Sequence, residues 1–229
     1  MPCGECGQDV RVLLEPFATL AEDPDAPIDE LALALAGEFR LVDGDAALAR
    51  LDELGEEVAA VYAELDGPEA AIAALREVLG VRHGFHGDRE SYDDPTNSML
   101  DVALQRKRGL PIVLSVLYVA TARRAGIALG GVGLPGHYVV RDLATVPPVL
   151  IDPFAGGTRL EVAPSVDLRP WGAHETAMRM LNNLVLAYRR RSDIVRSIRA
   201  AEMRLALPSD PARKRALWLE WLSLQSRLN

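Results

Sequence analysis

Hydrophobic residues recur every three or four positions through the first third of the chain, which is the spacing of amphipathic helices. The clearest stretch runs from Ala46 to Leu65, and a shorter one runs from Ile28 to Leu41. A third begins at Pro68, where a proline in the first turn of a helix loses no needed hydrogen bond, and it ends near Gly80. The pattern predicts a helical layer that carries no chemistry of its own.

The segment VRHGFHGDRESYDDPTN at 81–97 has no helical spacing and is rich in glycine, aspartate and aromatic residues. It predicts a shaped connection in which Asn97 caps a helix from Ser98 to about Arg106. His83 and His86 lie in this connection. They are candidates for ligands or acid/base groups, and solvated surface side chains are the alternative interpretation.

The next stretch predicts a helix that is buried on every side. Gly109 ends the preceding helix, and Pro111 falls where a new helix would begin. The sequence IVLSVLYVATA at 112–122 is apolar all round. Arg123 and Arg124 follow in the last turn, where cations suit the carbonyl end of the helix dipole.

Three short runs at 127–134, 137–142 and 148–152 are rich in β-branched and apolar residues and are separated by glycine and proline. They predict three strands of an antiparallel sheet packed on the buried helix. His137 begins the second strand and Asp152 ends the third. Neighbouring strands can therefore bring this imidazole and this carboxylate together.

Three helices are predicted at the end of the chain, over 174–190, 193–206 and 212–228, and the first two resemble a single tetratricopeptide-type hairpin. Because a free-standing solenoid needs three or more repeats, we expect this hairpin to dock on the rest of the protein. The predicted fold class is α+β. The expected division is a flexible tail at 1–9, a helical layer at 10–90, a core at 91–170 and a helical segment at 171–229.

Composition and charge limit the classes of binding partner that the sequence predicts. The chain has 229 residues, 49% hydrophobic and 25% charged, with a net charge of −8, as expected of one globular domain or two closely packed ones. Residues 1–101 carry 24 acids and 6 arginines, whereas 102–229 carry 9 acids and 19 basic residues, so the halves should attract each other. The basic stretches lack interleaved aromatic residues, so nucleic acid is not expected.

Cys3 and Cys6 form a CxxC pair, a spacing that suits zinc or redox chemistry. There is no second such pair, and a structural zinc site needs about four ligands. We therefore expect an exposed N-terminal tail and no metal or other cofactor. No apolar stretch is long enough to cross a membrane and no leader pattern opens the chain, so a cytoplasmic location is expected.

Several linked motifs resemble the bacterial SirB-type family of the transglutaminase-like superfamily. They are GFHGDRESYDDPTNSML at 84–100, RKRGLPIVLSVLYVATARRAGI at 106–127, GVGLPGHYVVRD at 131–142 and LIDPFAGG at 150–157. The resemblance implies a transglutaminase-like core of the papain-like cysteine-protease type. In that superfamily the catalytic cysteine starts a buried helix, a histidine on an adjacent strand is its base, and an aspartate orients the histidine.

Carried over by position, the histidine is His137, the aspartate is Asp152, and the cysteine's place is taken by Pro111. Proline offers neither a nucleophile nor a backbone N–H, so the resemblance implies a catalytically disabled module that binds a protein or peptide in the former substrate cleft. The further cleft candidates are Tyr92, Asp93, Asn97, Ser115, Gly136 and Tyr138.

An active enzyme acting on amide or peptide substrates is the alternative hypothesis. It would be a hydrolase using water activated by His137 or an acyltransferase using a thiol of Cys3 or Cys6. Ser115, one helical turn after Pro111, is a weaker candidate nucleophile because it is predicted to be buried in mid-helix. The sequence leaves the partner, the substrate and the oligomeric state open.

Overall fold

The computed structural model describes residues 14–162 and 167–228, which form helices around one central helix and a four-stranded sheet. The helices are α1 (Phe17–Glu22), α2 (Ile28–Gly37), α3 (Gly44–Ala63), α4 (Ala70–Leu75), α5 (Leu100–Arg106), α6 (Pro111–Arg124), α7 (Ala173–Arg190), α8 (Ile194–Ala206) and α9 (Pro211–Gln225). The strands are β1 (His86–Gly87), β2 (Arg108–Gly109), β3 (Leu129–Leu134), β4 (His137–Asp142), β5 (Leu150–Asp152) and β6 (Thr158–Leu160).

Helices α2, α3 and α4 are the three that the amphipathic spacing predicts, although their ends differ. Helix α3 begins at Gly44 because the side chain of Asp43 accepts a hydrogen bond from the N–H of Ala46 and caps it. Helix α4 is shorter than predicted and continues as a π-helical turn over Arg76–Arg82. Helix α1 and the short parallel pair β1–β2 were not predicted.

Helix α6 is the centre of the fold, as predicted. Its residues from Pro111 to Ala122 are buried except for Val119, which is partly buried. The sheet order is β3-β4-β5-β6, with every neighbouring pair antiparallel. The three predicted strands are present, and β6 is an addition. The fold is therefore α+β, with a buried helix packed on an antiparallel sheet.

The C-terminal helices pack on this core. Tyr188 of α7 lies 5.4 Å from the ring of Phe39 after α2. Helix α8 is capped by Asp193, whose side chain accepts from the N–H of Arg196, and α9 is capped in the same way by Asp210. The main cluster of buried apolar residues runs from Phe17 to Leu224, so helices from both ends of the chain share it.

Ion pairs join the acidic and basic parts of the chain, as the charge distribution predicts. The pairs include Arg124 with Asp52 at 2.5 Å, Arg159 with Glu69 at 2.5 Å, Arg199 with Glu38 at 2.5 Å and Arg191 with Asp94 at 3.5 Å. Most are exposed and contribute little each to stability. Each of them links an acidic residue of the first half of the chain to an arginine of the second half.

No helix in the described residues is long and apolar enough to cross a membrane. The predicted tail at 1–9 and the CxxC pair of Cys3 and Cys6 lie outside the described residues.

Candidate functional site

His137 and Asp152 lie side by side at the ends of neighbouring strands. The register of β4 and β5, in which Val140 faces Ile151, places the start of β4 beside the end of β5. His137 Nε2 is 2.9 Å from Asp152 Oδ2, and both side chains are partly exposed. Because a carboxylate only accepts hydrogen bonds, Nε2 carries the proton in this pair. In the neutral imidazole, Nδ1 then keeps its lone pair and can act as a base.

Asp152 is fixed by a second contact. Its other oxygen, Oδ1, accepts a hydrogen bond of 2.9 Å from the N–H of Phe154 and caps the short 3-10 helix Pro153–Ala155. The carboxylate therefore orients His137 and also shapes the turn after β5.

An aromatic wall covers the imidazole. The ring of Phe154 meets that of His137 edge to face, with ring centroids 6.2 Å apart, and Tyr92 meets Phe154 in the same way at 6.2 Å. Gly87 makes this possible, because a Cβ atom there would lie 2.3 Å from the Phe154 ring. Gly87 and Tyr92, in the connection between α4 and α5, therefore pack against Phe154, and Phe154 in turn packs against His137.

Pro111 is buried at the first position of α6, as predicted. Leu110 precedes it, and the N–H of Leu110 donates to the carbonyl oxygen of Asn97 at 2.9 Å. Ser115 lies one turn further on and is fully buried. Its hydroxyl makes a long contact of 3.4 Å with the carbonyl oxygen of Tyr138, so it is not placed to attack a substrate.

Tyr92 and Asp93 line a pocket of about 160 Å³ beside the start of α6. Arg190 of α7 forms an ion pair with Asp93. Arg191 lies near Asp94, so the end of α7 holds this loop from two sides. These contacts place two of the predicted cleft residues next to the N-terminus of α6.

Asn97 has a different role from the predicted one. It lies inside the 3-10 helix Pro95–Ser98, and Met99 is the residue that precedes α5. The Asn97 side chain donates to Asp88 Oδ2 at 3.2 Å and to the carbonyl oxygen of Ser91 at 2.7 Å. The prediction that Asn97 caps the helix was wrong, because its amide instead closes the loop that precedes it.

The remaining cleft candidates are Gly136, Tyr138 and Ser115, and they do not line the pocket of Tyr92 and Asp93. Gly136 sits in the exposed turn between β3 and β4 with a φ of 71°, a value that favours glycine. Tyr138 donates from its hydroxyl to Thr176 Oγ1 at 2.8 Å, since Thr176 itself donates to the carbonyl oxygen of Gly172. Ser115 and Tyr138 line a second cavity that is bordered by neither His137 nor Asp152.

The two loop histidines have structural partners. His83 Nδ1 is 3.1 Å from a guanidinium nitrogen of Arg50, and its Nε2 is 2.7 Å from Glu57 Oε2. His86 Nδ1 lies 2.7 Å from the carbonyl oxygen of Gly84. No group of three or more potential metal ligands occurs among the residues that the structure describes.

Two residues near the site were missed from the sequence. Arg179 of α7 donates to the carbonyl oxygens of Leu134 and His137, and it lies 5.7 Å from the ring centroids of Tyr138 and Trp171. Tyr118 of α6 lies near Asp152, and burial together with that negative charge raises the pKa of its hydroxyl. The sequence predicts that both residues lie on helices, but it does not predict their contacts with distant parts of the chain.

Tyr118→Phe is expected to raise the free energy of unfolding by roughly 1 kcal/mol, because the buried hydroxyl has no hydrogen-bond partner among the described residues. Tyr138→Phe is the matched control. It removes a hydroxyl bonded to Thr176 and should lower the free energy of unfolding by roughly 1 kcal/mol. Urea unfolding followed by circular dichroism measures both. Equal losses in the two variants would mean that Tyr118 has a polar partner in solution.

The family model described as "Transglutaminase-like superfamily" matches residues 45–187, which is more than half of the chain. The chain belongs to the transglutaminase-like superfamily. Its α+β fold is therefore a transglutaminase-like one, as the motifs predict. Helix α6, the His137 strand and the Asp152 strand all fall within the matched range.

Curated relatives of this transglutaminase-like chain are found in bacteria and in animals. A UPF0162 protein of Xylella fastidiosa strain 9a5c is 29% identical, over 95% of this chain and 85% of the relative. A UPF0162 protein of strain Temecula1 is 32% identical, over 68% of this chain and 63% of the relative. The F-box only protein 21 of Homo sapiens is 30% identical over 43% of this chain, but over only 17% of its own length. No solved structure matches the chain.

Proposed function

We propose that this protein is a catalytically disabled transglutaminase-like module that binds a protein or peptide partner in the former substrate cleft. The observation that carries the proposal is Pro111 at the first position of α6, in a chain that keeps a hydrogen-bonded His137–Asp152 pair. A proline cannot supply the attacking atom or a backbone N–H for an oxyanion. The supporting frame is kept while the reacting group is lost.

Ser115, the hydroxyl one helical turn after Pro111, does not replace the missing nucleophile. It is fully buried in α6, where it lacks the helix-terminal dipole that would activate it. The two cysteines of the sequence, Cys3 and Cys6, lie outside the described residues and belong to the alternative hypothesis of an acyltransferase. We therefore assign His137 and Asp152 a vestigial role in shaping the cleft.

The pocket beside Leu110 is not lined by His137, Asp152 or Pro111, and we propose it as the extension of the former cleft that takes an apolar side chain of an extended peptide. Tyr92 and Leu186 are exposed at its sides, and Leu110 and Ala187 line it. The hydroxyl of Ser98, buried and without a partner among the described residues, belongs to the same lining. Exposed aromatic and aliphatic side chains around a small pocket are typical of the anchor positions of peptide-binding surfaces.

We further assign the chain to the SirB-type subfamily, from the motifs at 84–100 and 106–127. The pair α7–α8 is proposed to be a tetratricopeptide-type hairpin. Its two helices are joined by a short turn, and the small buried residues Ala200 and Ala201 lie on α8. Because Arg190 at the end of α7 and Arg191 directly after it hold the loop of the peptide pocket, the hairpin would position that pocket.

Selection from a displayed library of linear peptides tests the binding proposal. Ala187→Phe fills the pocket, and we expect it to weaken the selected peptides about tenfold or more. Ala216→Phe places the same side chain at an exposed position of α9 and serves as the control. Peptides that bind both variants as well as the natural protein would place the binding surface elsewhere.

The alternative function is an active hydrolase that acts on amides with water activated by His137. The observation that favours it is the Nδ1 of His137, which has no hydrogen-bond partner within the described residues and lies on a partly exposed ring. Hydrolysis and amine transfer on glutamine and peptide substrates, compared between the natural protein and His137→Ala, separate the two functions. Turnover that disappears in His137→Ala would overturn the disabled module.

A further inference from the structure

A second cavity, of about 270 Å³, lies between α2, α6 and the sheet. Neither His137, Asp152 nor Pro111 lines it, so it is separate from the transglutaminase-like site. Its walls come from the starts of α2 and α7, one side of α6, strand β3 and the segment around Trp171. The lining side chains that matter here are Val116, Val119, Arg123, Leu129, Leu143 and Trp171.

The cavity is apolar and opens to the surface. The interior is lined by Val116, Val119, Leu129 and Trp171. Leu143, which is 42% exposed, lies at the mouth. An engineered apolar cavity of about 150 Å³ holds a benzene molecule, so this one has room for a bicyclic ring system or a chain of about eight carbons.

The cavity has one cationic side chain in its lining. The side chain of Arg123 is 51% exposed and donates only from Nη2, to both carboxylate oxygens of Asp29 at 3.1 Å. Its Nη1 and Nε have no protein partner in the described part of the chain. Arg124 also donates to Asp29 at 2.7 Å, so two guanidinium groups share one buried carboxylate. Because Arg124 is also paired with Asp52, Arg123 is the guanidinium of this cluster that keeps more of its donors free within the described residues.

The start of α2 contributes free backbone donors beside the two carboxylates of its first turn, Asp29 and Glu30. Pro27, Ile28 and Asp29 border the cavity, and α2 has no side-chain cap. The first backbone N–H of α2 to find a carbonyl partner is that of Leu31, which donates to Pro27. The three preceding N–H groups have no such partner within the described residues, and uncapped N–H groups at a helix N-terminus favour anions.

We propose that this cavity binds a small monocarboxylic acid with an aliphatic or bicyclic aromatic body. The apolar body fills the space between Val116, Val119 and Trp171. The carboxylate lies at the mouth, where Arg123 Nη1 donates a charge-assisted hydrogen bond to it. This binding is independent of the peptide pocket, and the failure of either proposal leaves the other standing.

Isothermal titration calorimetry with octanoate and 2-naphthoate tests the proposal, with octanamide and 2-naphthamide as neutral counterparts of the same shape. We expect the acids to bind and the amides to bind at least about fivefold more weakly, because only the acids pair with Arg123. Arg123→Gln should remove most of this preference while keeping the apolar contribution. A preference that survives in Arg123→Gln, or no heat from any of the four compounds, would overturn the proposal.

Two filling variants test the location. Val119→Phe occupies the interior, and Leu143→Trp blocks the mouth from a side chain that is already exposed. Both should lower the affinity for the acids about tenfold. Leu219→Trp makes the same exchange on α9, where Leu219 is 54% exposed, and should change nothing. Acid binding that is unaffected by Leu143→Trp, in a variant whose circular dichroism matches the natural protein, would exclude this cavity.

Discussion

Asp29→Ala is expected to lower the free energy of unfolding by about 3 kcal/mol, because it leaves two arginines without their shared buried carboxylate. The side chain of Asp29 is 0% exposed, and it accepts hydrogen bonds from Arg123 and Arg124. These three residues join α2 to the end of α6. The loss should persist in high salt, since buried pairs are screened much less than exposed ones. Urea unfolding at two salt concentrations measures it.

Asp52→Ala is the matched control, because Asp52 binds the same Arg124 at 2.5 Å but is 63% exposed. Its removal should cost less than about 1 kcal/mol and should matter less as salt is added. If Asp52→Ala proves as damaging as Asp29→Ala, the stabilising contact of Arg124 is at the surface. Asp29→Asn, which keeps the shape and an acceptor oxygen, should fall between the two.

The elements that the sequence predicts well are those whose own pattern is complete. Helix α3 has a long amphipathic repeat, and α6 is apolar on all sides, so their burial needs no knowledge of their neighbours. Strands β1 and β2 are two residues each and pair in parallel through His86 and Arg108. Such short pairs carry no alternation, and only the surrounding fold brings them together.

The site was predictable to the same extent. His137 at a strand start and Asp152 at a strand end are positions that a sheet register can bring into contact, and the structure shows that contact. Their catalytic or vestigial role stays a prediction. The sequence could also have shown that Tyr138 does not share a site with His137, because the side chains of adjacent residues on a strand point to opposite faces of the sheet.

Other contacts could not be predicted because they join residues far apart in sequence. Asp29 and Arg124 are 95 positions apart, and nothing in either local sequence points to the other. Gly55, in the middle of α3, lies where a Cβ atom would be 2.4 Å from the Cβ of Arg124. That glycine lets α6 approach α3 and places Arg124 between Asp29 and Asp52. The cavity beside Arg123 follows from the same packing and was equally hidden.

Pro111→Cys is expected to create a reactive thiol, if Pro111 occupies the nucleophile position proposed above. The change would be made with Cys3 and Cys6 replaced by serine, so that one thiol remains. A cysteine at the first position of α6 would sit at the positive end of the helix dipole and regain the backbone N–H that proline lacks. Its pKa should fall below the ordinary value of about 8.5, which raises the thiolate fraction at neutral pH.

Alkylation by iodoacetamide as a function of pH measures this thiol, and we expect it to react at least about tenfold faster near pH 7 than the thiol of Ser115→Cys. Ser115→Cys is the matched control, since it lies one turn further along the same helix but in its buried middle. Adding His137→Ala to Pro111→Cys should raise the pKa of the thiol that the pH dependence of alkylation reports, because an imidazolium beside a thiol stabilises the thiolate. If His137→Ala leaves the pH profile unchanged, the His137–Asp152 pair does not interact with the side chain at position 111. A pH profile that does respond would support the proposal that Pro111 is the residue that disables the site.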